Sequence, residues 1–148
     1  MSYTADDIYM ITRFYKKQTS RESLEFIADI ANNFVHKVYR ACLPIHKNKT
    51  ISHRILTETL SLFLSEYMMI EVSETNYLKL TDSKTSEYAP EFGPIESKQL
   101  SIAAEVLIEH LVSKSMARIE KGPLSPNDVV DAIKSDEELY SVYQKIQE

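Results

Sequence analysis

Four histidines, one cysteine and a few paired acids are the residues of this 148-residue sequence whose chemistry can reach beyond packing. His36, His46, His53 and His110 are scattered, and none has a cysteine or carboxylate at metal-ligand spacing. Cys42 falls on an apolar helical stripe, where a thiol behaves as a small hydrophobe and not as a nucleophile. The pairs Asp6/Asp7 and Glu137/Glu138 sit in the first turns of helices, where the dipole favours acids. No glycine-rich phosphate loop, Ser-His-Asp set or zinc motif occurs. The expectation is a protein with no catalytic residues, no metal, no cofactor and no small-molecule substrate, hence not an enzyme. The cations are better organised. Lys16, Lys17 and Arg21 flank one interhelical break, and Lys47, Lys49 and Arg54 flank another. Both groups stand at helix ends, where side chains, amides and dipoles can converge on a phosphate.

The elements that position these residues read as helices. Thr4 caps a first helix over about residues 4–17, with Ile8, Ile11, Phe14 and Tyr15 on one face. Ser20 opens a second, carrying Leu24, Ile27, Ala28, Ala31, Phe34, Val35, Val38, Cys42 and Ile45 in steps of three and four. Pro44 marks its end. A helix that long with one apolar stripe cannot bury itself and must cross another element. After the polar break at 46–50, Ser52 caps a third helix with Ile55, Leu56, Leu60, Phe63 and Leu64. Residues 70–82 alternate at Tyr77–Leu80 and can pair as a small β-hairpin. The stretch around Pro90, Gly93 and Pro94 reads as a linker. A long helix then recurs, opened by Ser97 and striped by Leu100, Ala103, Leu107, Ile108, Leu111, Ser115 and Ile119. Ser125 and Pro126 start a short helix, an arrangement that suits both residues, with Val129, Val130 and Ile133 facing inward. DEELYSVYQKI supplies the last helix.

Composition agrees with long helices: the chain has two glycines, and 43% of its residues are hydrophobic. A single cysteine forbids an internal disulfide and suits a reducing compartment. No apolar run approaches the ~20 residues that cross a bilayer, and the polar, acidic start does not read as a signal peptide. The expectation is a soluble protein of the cell interior, neither secreted nor membrane-bound. The formal net charge of −5 is uneven, with 10 Lys/Arg against 10 Asp/Glu over residues 1–83 and 7 against 12 beyond. A nucleic-acid binder is usually basic overall. This balance therefore opposes simple DNA coating while allowing a local basic edge.

Segments IANNFVHKVYRA (30–41) and NKTISHRILTETLSLFL (48–64) resemble the long helix, loop and third helix of histones of the 2B class. EVSETNYLKLTDSK (71–84) is similar to the start of that class's C-terminal extension. AIKSDEELYSVY (132–143), with Pro126 six residues before its alanine, resembles the third helix and C-terminal segment of 2A-class histones. The order, 2B-like then 2A-like, resembles the histone doublets of some large DNA viruses. The resemblance covers about 110 residues and implies an all-α fold: two tandem histone folds in an intramolecular handshake. The first fold would span 1–83, a linker or reduced first helix 84–95, and the second fold 96–148. By the same resemblance, sequence-independent contact with double-stranded DNA falls to Lys16, Lys17, Arg21, Lys47, Lys49 and Thr50, with Lys98 and Lys121 from the second fold; Arg54 joins them by its place beside the second break. Asp136, Glu137 and Glu138 match an acidic patch offered to partner proteins. A 4/3-like histone-fold protein is the implied partner, in nucleosome-like chromatin of a nucleus, viral factory or virion, or otherwise in the cytoplasm or nucleoid.

Three departures support an alternative. Basic tails are absent, the turn KGPLSP lacks the family's arginine, and both long stripes look about two turns shorter than in core histones. Together with the acidic pI, these features are nearer to histone-fold subunits that scaffold transcription-factor or co-activator complexes. A third reading takes SHRILTETL and the following alternation as the helix and wing of a winged-helix DNA binder, but it leaves the second half unexplained.

Overall fold

The structure, a computed structural model, describes residues 2–15, 17–46, 50–80, 84–88 and 90–147, without the side chains at 44–46. Among these residues the regular structure is entirely helical: α1 (Ala5–Thr12), α2 (Arg21–His46), α3 (His53–Phe63), α4 (Glu66–Glu74), α5 (Pro94–Arg118), α6 (Pro126–Ser135) and α7 (Glu137–Gln147), with a single 3-10 turn at Ser86–Tyr88. No helix among them is long and apolar enough to cross a membrane.

Capping chemistry sets most of the helix starts. Thr4 and Asp7 form a reciprocal capping box at α1, and Ser125 and Asp128 form another at α6, with Pro126 in the first turn. Ser20 Oγ accepts from the Ser23 amide at α2, Ser52 Oγ from Ile55 at α3, and Ser65 Oγ from Met68 at α4. The start of α5 differs from the expectation. Its N-cap is Gly93, without a side-chain cap, and Ser97 lies inside the helix, buried. Pro94 explains this, since a proline at the first position needs no amide partner and presets φ for a helix.

The expected hairpin at 70–82 does not form. Residues 66–74 are helical, because Ser65 supplies a cap and Met68 and Val72, four apart, bury one face against the rest of the core. The alternation at Tyr77–Leu80 is real but serves a different end. Leu80 is buried and Tyr77 exposed, while the Lys79 and Leu80 amides donate to the Glu105 carboxylate at 2.8 and 3.2 Å. A side chain of α5 thus takes the place of a pairing strand. Residues 81–82 lie outside the described residues. The first helix also ends early, at Thr12 and not near Lys17, because the following loop is drawn into backbone pairing elsewhere.

The two long helices contain 26 and 25 residues, more than their stripes suggest. Each is therefore close to 40 Å long, at roughly 1.5 Å per residue. They pack on one another. The buried stripe of α2 is the one expected, from Leu24 to Cys42 with Ile30 added. In α5 every residue from Leu100 to Ile108 is buried, so this helix has no solvent face over its middle. Helices α1, α2, α3, α4 and α6 all pack around it, and residues from both halves of the chain join one hydrophobic cluster.

Two isolated parallel bridges fix the topology: Thr19 with Leu124, and Ile51 with Phe92. The first ties the entrance of α2 to the exit of α5, and the second ties the exit of α2 to the entrance of α5. The long helices therefore run antiparallel, each flanked by a loop pair at either end. Beyond Arg118 the chain reverses at Gly122, whose φ of 81° lies in the left-handed region that favours glycine. Residues 84–88 and 90–92 are tied back to the helices. Lys84 pairs with Asp7 at 3.3 Å, and Thr85 Oγ1 donates to the Ser97 carbonyl at 2.6 Å. Tyr88 stacks on Tyr39 at 4.3 Å, and Phe92 meets the edges of both rings.

Candidate nucleic-acid interface

Each of the four bridged residues stands two positions before the first residue of a helix. Thr19 precedes α2, Leu124 precedes α6, Ile51 precedes α3 and Phe92 precedes α5. Because both bridges are parallel, the paired chains enter their helices side by side. Each end of the long-helix pair therefore carries two adjacent helix N-termini, α2 with α6 at one end and α3 with α5 at the other. Backbone contacts hold the first end tightly: Ser20 N donates to Leu124 O at 3.0 Å, and Leu124 N donates to Gln18 O at 2.8 Å. At the second end, Ile51 N donates to Glu91 O at 2.6 Å. Paired N-termini concentrate positive dipole ends, which favour an anion.

The DNA-contact residues expected from the sequence, cations except for Thr50, are distributed over these two ends. Lys17, Arg21 and Lys121 belong to the α2/α6 end, and Thr50, Arg54 and Lys98 to the α3/α5 end. All six are exposed. Lys16, Lys47 and Lys49 lie outside the described residues. The described cations are not equally free. Lys17 Nζ donates to the carbonyls of Met116 and Ile119, at 2.6 and 2.7 Å, and so caps the C-terminus of α5. Arg21 lies 3.6 Å from Asp6 and 3.3 Å from Glu25, and Arg54 lies 3.0 Å from Glu58. Such exposed pairs are worth little and exchange readily for phosphate. First-turn acids differ between the ends as well: Glu22 and Asp128 stand at the α2/α6 end, Glu96 stands in α5, and α3 has none. The α3/α5 end is accordingly the more favourable to an anion.

The acidic trio is split by its surroundings. Asp136 accepts from the Leu139 amide at 3.0 Å, capping α7, and sits 3.3 Å from Lys114. Desolvation is the largest influence on its carboxyl and pushes it up, but the Leu139 amide and Lys114 together outweigh this and hold it below the usual range. Glu138 accepts from Ser65 Oγ at 2.9 Å, and Glu137 is exposed. All three edge an open cleft of about 350 Å³ with Tyr67, His110 and Lys114. His110 Nε2 stands 2.6 Å from Glu71 Oε1, a contact across 39 positions that no local spacing reveals. Cys42 is fully buried, and burial pushes its thiol up. Among the described residues, no group of three His, Cys, Asp or Glu side chains could hold a metal ion.

Set beside known proteins, the chain matches no family model. No curated protein matches it either.

Proposed function

We propose that this chain is a histone-like DNA-packaging protein, a 2B-like and a 2A-like fold joined in one polypeptide and closed on itself as a handshake. The observation that carries the reading is the double bridge, which pairs a loop of the first half with a loop of the second at each end of the antiparallel long helices. The folds divide at about 1–83 and 96–148, and Ser86–Tyr88 stands where the second fold's first helix is reduced. Contact with double-stranded DNA is sequence-independent. It is made by phosphates seated on the paired N-termini, with Arg54, Lys98 and Thr50 at one end and Arg21 and Lys121 at the other. Lys47 and Lys49, by their place in the sequence, extend the first group. Lys17 acts from within, by holding a loop to α5. The acidic cleft around Glu137 faces protein partners, among them a 4/3-like histone-fold protein in a chromatin particle.

The deciding experiment is an anisotropy titration of a mixed-sequence duplex while salt is raised from about 50 to 200 mM. Binding with a log–log slope steeper than about −3 supports the reading, because several phosphates are then neutralised. Absence of binding at the lowest salt overturns it.

A second reading is favoured by the engagement of Lys17, Arg21 and Arg54 with protein groups and by the net charge. In it the same fold serves as a histone-fold subunit of a transcription-factor or co-activator scaffold. Pull-down of a histone-fold protein by a chain that ignores DNA distinguishes it.

A further inference from the structure

Residues 8–21 carry four cations (Arg13, Lys16, Lys17 and Arg21) and no acid, on a chain whose formal net charge is −5. Three aromatic residues are interleaved with them: Tyr9, Phe14 and Tyr15. The structure leaves all three rings in solvent, with Phe14 76% exposed, Tyr9 53% and Tyr15 41%. Met10 is exposed beside them. These large side chains, at the end of α1 and in the turn beyond it, form a patch that the core does not use.

Four of these groups share a cleft that Phe14 adjoins through Arg13. Tyr9, Arg13, Tyr15 and Lys17 line one open cleft of about 390 Å³ with Gln18 and Thr19. Arg13 lies over the Phe14 ring, 5.1 Å from its centroid. Arg13 has no carboxylate partner among the described residues, so its charge is available. The cleft runs up to Thr19, the residue bridged to Leu124.

We propose that this aromatic and cationic face binds single-stranded nucleic acid, stacking unpaired bases on Phe14 with Tyr9 and Tyr15 beside it while Arg13 holds the adjoining phosphate. Charge complementarity selects the occupant, since two cations, Arg13 and Lys17, and no acid line the cleft, which favours a polyanion, and exposed ring faces attract bases of any sequence. Duplex DNA does not offer those base faces, so this activity goes beyond the duplex contact proposed above and does not depend on it.

The chain has no tryptophan, so Phe14→Trp introduces a single fluorescent reporter at the site. Oligo(dT) is expected to quench it, and an abasic deoxyribose-phosphate strand of equal length is not. Phe14→Ala is expected to weaken oligo(dT) binding about tenfold, with duplex affinity and the thermal unfolding curve unchanged. Because the duplex arm is read separately, failure of stacking and failure of the DNA-packaging reading are told apart. Equal affinity for the oligo(dT) and abasic strands would overturn the proposal, as would indole fluorescence in the Phe14→Trp chain that oligo(dT) leaves unquenched. Two further results would reassign the face and also overturn it. One is a change of mass in solution on Phe14→Ala, which marks self-association. The other is quenching by an acidic aromatic peptide but not by oligo(dT).

Discussion

At the scale of single residues, two carboxylates hold opposite relations to pH. Glu105 is buried, and desolvation raises its carboxyl above the usual range against the opposing Lys79 and Leu80 amides. The folded chain therefore holds that proton more tightly than the unfolded chain. Stability falls as pH rises from the ordinary glutamate range through the raised value. Glu105→Gln forfeits part of the hold on the 79–80 backbone but also the ionisation. Its deficit in urea unfolding is expected to shrink as pH rises through that window, and a growing deficit would refute the assignment. Asp136 behaves the other way. Its lowered carboxyl contributes stability above the ordinary aspartate range, and that contribution is lost as pH falls through the lowered value. Asp136→Ala is expected to cost about 1 kcal/mol near neutrality, as the loss of a helix cap does, and less once the carboxyl is protonated and keeps only a neutral acceptor for the Leu139 amide. The half-exposed Lys114 adds little to that figure.

Elements depend on how the loops are held. Phe92 is fully buried, precedes α5 and meets Tyr39 and Tyr88 edge-on. Phe92→Ala is expected to cost roughly 3–5 kcal/mol in chemical denaturation, the range for losing a buried aromatic ring; a cost near zero would mean that the bridge to Ile51 does not need it. The sequence discloses whatever is decided locally. Thr4, Ser20, Ser52 and Ser125 stand as caps, the α2 stripe is legible residue by residue, and the break at KGPLSP is where α5 stops. Features decided by distant partners are not legible. The early end of α1 follows from pairing with Leu124, and the use of Lys17 on the α5 carbonyls joins positions about a hundred apart. The helix at 66–74 hides behind the alternation that follows it, and Glu105, which satisfies that alternation, lies 25 and 26 positions further on. Ser97 imitates a cap because Gly93–Pro94 resembles a linker. Of the candidate interface, the loop cations are visible as loop cations. Which of them are already engaged is visible only once the chain is folded.

Over the whole molecule, the two halves share one core around α5. A chain built this way unfolds as a unit. Calorimetry is expected to give a single transition with equal calorimetric and van't Hoff enthalpies, and two separated transitions would mean that each half keeps its own core. The charge layout makes a finer statement about DNA. The α3/α5 end has fewer first-turn acids, so Arg54→Glu with Lys98→Glu is expected to reduce duplex affinity and flatten the salt slope more than Arg21→Glu with Lys121→Glu does. The reverse order would move the principal contact to the other end. The most direct test of the paired-terminus proposal is a map of backbone amide NMR shifts during titration with a mixed-sequence duplex. The account expects perturbations at residues 50–54 and 93–98, with a weaker set at 19–22 and 124–128. Perturbations confined to α7 and the acidic cleft, or none at all, would contradict it.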